Sequence, residues 1–319
     1  PVRGPAVAVQ RWLVALGAAG LAAGRERQLP TGVVAAAGLC VTAGLVLLGG
    51  LLAVETARAR LGRYRPAVHY YLAALGAGVA GTGLGAAMVS GRDDLRDAHV
   101  VVNLLGLVGL VIAGTLPYFV ATQARMKMSR RATPRRLHLD LGWLATGVVV
   151  AAAGSLAHER MAVGAGLAAY AAGLVHLVTL LPRPGRPQLA WAGPRLVQLA
   201  GGLGWWIGTV AVAAVHGFAG KPVLPEHLVV ALVLGAYAQI LVASLAYLGP
   251  VLRAGGHERL SAGFATTRSG VALAAGAAAV ALGADAVARF AVLATAGRRP
   301  HPARLAERVG LVRSRRALR

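Results

Sequence analysis

Histidine is the side chain best suited to proton transfer and metal ligation near neutral pH. Seven of the nine histidines in this chain lie within, or at the ends of, long apolar runs. If those runs cross a bilayer alternately, His99, His158, His216 and His227 fall at one membrane face, each on a different run. His69, His138 and His176 fall in the opposite half, again on three runs, while His257 and His301 lie in a loop and in the tail. A membrane site for haem or copper needs imidazoles that converge from separate helices at a common depth. The first set meets the depth condition, so His99, His158, His216 and His227 are the candidate metal ligands. Each also reads as an interfacial polar residue or a helix cap.

Asn103 lies one turn below His99 on the same helix face, because residues four apart superpose. An amide at that depth requires a hydrogen-bond partner on another helix. His99 and Asn103 are therefore the candidate cofactor-binding pair, with Asn103 alternatively a structural link between helices. Gln239, in the middle of its run, makes the same demand.

Some chemistries are excluded by what is missing. The single cysteine, Cys40, permits neither an internal disulfide nor a cysteine metal site. There is no phosphate-binding GxxxxGK[ST] sequence, no GxGxxG between a strand and a helix, and no HExxH. Asp140 and Asp285 are the few carboxylates within apolar runs, where an ion-coupled transporter usually shows more. Pro117 and Pro250 interrupt two runs without defining an inverted repeat, and Pro117 is expected to kink its helix.

The elements that must position these residues follow from composition. The chain of 319 residues is 57% hydrophobic and 14% charged, against about 25% charged in a soluble domain. Such a balance excludes a soluble globular enzyme and equally excludes disorder. A spanning helix needs about 20 mostly apolar residues, and such runs occupy 32–54, 67–89, 98–122, 138–157, 162–181, 196–216, 227–252 and 269–291. An earlier run, 6–23, contains Gln10 and Arg11 and is the weakest. The fold class is therefore all-α, a polytopic transmembrane helix bundle of 8–9 spans over residues 1–297, followed by a basic tail, 298–319.

The net charge of +22 reads as topology and contact with a lipid bilayer rather than nucleic acid, because the basic residues sit in short loops. Loops 55–66, 123–137, 182–195 and 253–268 carry +3, +6, +3 and +2, whereas 24–31, 90–97, 158–161 and 217–226 carry +1, −1, 0 and 0. The positive-inside rule places the first set and the N-terminus in the cytoplasm. The tail, at +7, is then on the outer side, against that rule. It is either a cut end or follows a last run that does not fully cross. Pro1 reads as the start of a fragment, a processed product or a misplaced gene start, and no cleavable signal peptide is evident.

Trp12, Tyr64, Tyr70, Tyr71, Trp143 and Trp191 lie near span ends, as interfacial anchors should, whereas Trp205 and Trp206 fall deeper. Gly81 with Gly85, and Gly204 with Gly208, place small residues on one helix face and predict close helix packing. Asp285 and Arg289 are spaced to pair on one face of the last run.

Two stretches carry a resemblance. One is His99-Val100-Val101-Val102-Asn103-Leu104-Leu105-Gly106-Leu107-Val108-Gly109, with Gly114-Thr115-Leu116 and Arg125-Met126 beyond it. The other is Ala238-Gln239-Ile240-Leu241, Ser244-Leu245-Ala246-Tyr247-Leu248 and Pro250-Val251. Together they resemble the polytopic membrane domain of actinobacterial copper-oxidase-type proteins, itself loosely similar to NnrS and to the catalytic subunit of haem–copper oxidases. The resemblance covers about residues 30 to 291. It implies an all-helical bundle in a bacterial cytoplasmic membrane, with haem or copper as cofactor and, in some relatives, an extracytoplasmic multicopper oxidase domain as partner. His99 and Asn103 are the positions that carry over. Val101 stands where relatives often have a second histidine, and their earlier histidine motif has no counterpart here. Three functions are thus in view: a redox or metal-binding membrane domain, a non-catalytic membrane module, and a small-solute transporter.

Overall fold

The computed structural model describes residues 4–27, 29–58, 62–253 and 262–264. Among them eight helices are long and apolar enough to cross a membrane, and no strand occurs. The spanning helices are α1 (Pro5–Arg27), α2 (Thr31–Arg58), α3 (Arg65–Val89), α4 (Asp93–Gln123), α5 (Pro134–Leu156), α6 (Arg160–Leu180), α8 (Pro194–Phe218) and α9 (Glu226–Arg253). A short helix, α7 (Arg186–Ala192), precedes α8. The protein is an all-α, multi-pass bundle. The weakest expected run, 6–23, is a helix of full spanning length, whereas 269–291, with Asp285 and Arg289, lies outside the described residues.

The chain breaks its helices with proline and left-handed turns. Pro66, Pro134 and Pro194 open α3, α5 and α8 at the first turn, where a missing N–H costs nothing. Arg125 (φ 51°) and His158 (φ 57°) close α4 and α5. There Met126 N–H donates to the Ala121 carbonyl at 2.9 Å and Glu159 N–H to the Gly154 carbonyl at 2.8 Å, in the closure that usually takes glycine.

The spans fall into two successive sets of four with one layout. In each set the first helix packs on the second, the second on the third, and the third against the first half of the fourth. The fourth helices, α4 and α9, share an unusual backbone: Val101–Gly109 and Ala231–Ala238 wind as π-helix, with wide turns. Landmarks recur about 128 residues apart, Pro66 with Pro194 at a helix start and His99 with His227 just before a π stretch. The sets are not equivalent in burial. α5 joins them by packing on α4, whereas at the edge α1 packs on α2 and α2 on α3.

The core gathers around the wide turns of α4. A π turn displaces carbonyls from their regular partners, and an unmet carbonyl in hydrocarbon is costly. The Tyr170 hydroxyl, from α6, donates to the Leu105 carbonyl at 3.0 Å, and the Tyr237 hydroxyl, from α9, donates to the Leu104 carbonyl at 2.7 Å. Trp206, with 0% exposure, lies between them, its ring centroid 6.3 Å from Tyr170 and 5.4 Å from Tyr237. Its depth serves this layer rather than an interfacial belt. Gly109 allows the approach, because a Cβ there would run into the Tyr170 hydroxyl. The helix continues through Pro117 within Leu110–Gln123.

The loops meet in two groups. At the basic face, the guanidinium of Arg125 stands 3.2 Å from the Trp191 ring centroid and the Tyr118 hydroxyl donates to the Arg63 carbonyl at 2.7 Å. At the neutral face, Arg96 donates to the Leu224 carbonyl at 3.4 Å and Val223 N–H to Asp97 Oδ2 at 3.4 Å.

Candidate functional site

Of the four histidines expected to gather at the neutral face, His216 and His227 approach each other, while His99 and His158 lie in other surroundings. His99, half-buried, lies against the small-residue stripe of α3. Its Nδ1 is 2.9 Å from the Gly81 carbonyl and 3.3 Å from Asn103 Nδ2. A carbonyl only accepts, so Nδ1 carries the proton and donates to Gly81, leaving Nε2 as the bare ring nitrogen. Asn103 Nδ2 then donates to the His99 carbonyl at 2.9 Å, so its amide N–H is satisfied within its own helix rather than across to another. A Cβ at Gly81 would meet Asn103 at 2.5 Å, and one at Gly85 would meet His99 Cε1 at 3.0 Å. These glycines are therefore the seat of the His99–Asn103 pair.

His216 and His227 approach each other, with ring centroids 6.3 Å apart, and His216 Nδ1 is 3.2 Å from the Pro222 carbonyl. His158 lines a separate polar cavity of about 330 Å³ with Asp94, Asp97, Arg160 and Lys221. Among the described residues, no three side chains of histidine, cysteine, aspartate or glutamate come together as a metal ion would require.

The closest convergence of ionisable groups lies toward the basic face. Asp140, on α5, has 0% exposure and is the only carboxylate buried to that extent among the described residues. Its Oδ1 is 2.7 Å from Nδ1 of His176 on α6, and its Oδ2 accepts from the Tyr70 hydroxyl of α3 at 2.8 Å. The same hydroxyl is 3.0 Å from the Leu137 carbonyl, so one proton has two acceptors. Next to Tyr70 in sequence, His69 places Nδ1 2.8 Å from Nε2 of His138 on α5, with ring centroids 4.9 Å apart. One of those nitrogens must donate and the other accept. The His176 side chain retains 30% exposure, so the buried carboxylate is joined through it to the edge of the core, and His138 is exposed as well.

Chemically, three helices hold a buried carboxyl group between a tyrosine hydroxyl and an imidazole, beside a histidine pair in which one ring donates to the other. Groups of these types, so placed, are able to take up and release protons. Tyr70, expected in the interfacial belt, is 1% exposed and belongs to this network instead. The signal for it in the sequence was Asp140 inside an apolar run, together with three histidines at matching depth. Gln239 presents the opposite case: it is 1% exposed and neither amide atom has a partner among the described residues.

Compared with protein-family models, with curated proteins and with solved structures, the chain matches none.

Proposed function

We propose that this multi-pass membrane protein works by proton exchange at Asp140, with Tyr70 and His176 fixing the carboxylate and the His69–His138 pair linking it to the basic face. In function it is a proton-handling membrane module, of the transporter class. It sits in the cytoplasmic membrane of a bacterium with the basic face in the cytoplasm. The observation that carries this reading is a carboxylate with no exposed surface, bonded to side chains of two other helices. Ionisable groups at membrane depth are costly and concentrate on proton and substrate paths. Asp140→Asn is the clean variant, because the amide can turn its oxygen to His176 and its NH₂ to Tyr70, whose proton moves to the Leu137 carbonyl. In liposomes enclosing a pH-sensitive dye, wild-type protein should speed relaxation of an imposed pH step, and Asp140→Asn should remove the effect while unfolding at the same temperature. Equal relaxation by both proteins would sink the reading.

A second reading keeps haem or copper at the opposite face, as the resemblance to copper-oxidase-type membrane domains implies, with an extracytoplasmic oxidase domain as partner. One observation favours it. A donated Nδ1–H to a backbone carbonyl, as in His99, is the bond that orients a ligating imidazole and leaves Nε2 for the metal. An absorbance spectrum and metal analysis of the purified protein separate the readings. A haem or copper signal lost in His99→Ala supports the second, and its absence from wild type removes it.

A further inference from the structure

The two glycine pairs that look alike in sequence have different surroundings. Gly81 and Gly85 are covered by Asn103 and His99, whereas a Cβ at Gly204 or Gly208 would meet nothing within 4 Å. Gly204 and Gly208 form the floor of a groove of about 660 Å³ between α8 and α9, which Trp205, Thr209 and His227 also line.

Thr209 differs from the half-buried hydroxyls of the other spans. Thr42, Ser155 and Ser244 each donate to the carbonyl four residues back, at 3.0, 2.9 and 2.7 Å, which is the usual fate of a helical hydroxyl. Thr209, only 4% exposed, has no hydrogen bond among the described residues, and it faces the groove. Neither the Trp205 indole N–H nor the His227 ring has a hydrogen-bond partner among those residues. Three residues with hydrogen-bonding groups therefore line a cleft with an apolar floor, and the lining includes no Lys, Arg, Asp or Glu. That lining matches neutral acceptor oxygens and offers no cation to a phosphate. The groove has room for a chain along the glycine floor and for a head group near His227, at the outer end of α9.

We propose that the α8–α9 groove binds a neutral membrane lipid with carbonyl oxygens on its head group, of the isoprenoid-quinone class. The carbonyls accept from Thr209 and His227, and the tail lies along Gly204 and Gly208. The proposal is independent of proton exchange at Asp140.

The test is a titration of the purified full chain in detergent with decylubiquinone, read by quenching of tryptophan fluorescence. Saturable quenching is expected, with its main component lost in Trp205→Phe. Thr209→Val, which keeps the side-chain shape, and His227→Leu should each raise the midpoint about tenfold, the loss of one good hydrogen bond. Gly208→Leu should abolish saturation without lowering the unfolding temperature, since the added side chain enters open space. Quenching that never saturates, or is the same in all variants, would overturn the proposal. Competition by equimolar phosphatidylglycerol would move the groove to phospholipid and also overturn it. So would a Gly208→Leu protein that unfolds earlier yet titrates like wild type, because the groove would then be the seat of another protein helix, such as the run 269–291 or a second copy.

Discussion

The Tyr70 hydroxyl stands 2.8 Å from Oδ2 of Asp140, while the other carboxylate oxygen is held at 2.7 Å by His176. The carboxylate therefore has one partner on α3 and one on α6, and its environment predicts how each partner matters. Removing His176 leaves Oδ1 of the fully buried carboxylate without its partner, and a buried polar group left unsatisfied costs about 1–3 kcal/mol, more when it is charged. Removing the Tyr70 hydroxyl leaves His176 in place, at a cost of about 1 kcal/mol. His176→Ala should thus lower the unfolding temperature well below that of Tyr70→Phe. Thermal unfolding in detergent ranks the two variants, and the reverse order would contradict the network.

The α4 core makes a second prediction. Tyr170→Phe and Tyr237→Phe each leave one π-turn carbonyl, of Leu105 or Leu104, without its donor. Each should destabilise by about 1–2 kcal/mol. The carbonyls are adjacent and both tyrosines touch Trp206, so the double variant should depart from additivity. A double-mutant cycle on unfolding measures it.

Glycine position gives a third. Gly81→Leu drives a side chain into Asn103 and Gly85→Leu drives one into the His99 ring, and overpacking costs about 1–3 kcal/mol or more. Gly204→Leu enters open space. Folded yield should fall for the first two and stay near wild type for the third, as gel filtration of the extracted proteins would report.

Topology gives the fourth. With the +6 loop in the cytoplasm, a cysteine placed at Arg131 in a Cys40→Ser background should resist an impermeant maleimide added to intact cells. One placed at Lys221, exposed in the opposite loop group, should react. The opposite pattern would invert the molecule.

Much of the fold was legible in the chain. Arg65–Val89, Pro134–Leu156 and Pro194–Phe218 lie within a few residues of the expected runs 67–89, 138–157 and 196–216. Apolar length sets a span and proline marks its start. Seating of Asn103 and His99 on Gly81 and Gly85 follows from the same small-residue logic. The site was less legible. Depth singled out His69, His138 and His176 as well as His99, His158, His216 and His227, but depth is one coordinate and contact needs three. Tyr70 was misread because aromatic residues near span ends usually anchor the interface, and only its partner on α5 shows that it points inward. The fourfold layout repeated in the two halves also escaped the sequence, since its landmarks are single residues about 128 positions apart among interchangeable apolar ones.

By itself, then, the amino-acid sequence determined that this protein is a helical membrane bundle, which residues lie at which depth, and which loops share a face. Those properties follow from hydropathy, length and charge, each summed along one chain segment. Only the tertiary structure decided that Asp140 meets both Tyr70 and His176, that His99 turns to Gly81 rather than to His158, and that Gly208 faces a groove while Gly81 does not. The reason is rotational. A spanning helix in hydrocarbon can turn about its axis with little change in its hydropathy, so the direction each side chain faces is chosen by packing against neighbours, through close contact at small residues and through hydrogen bonds that must be met away from water.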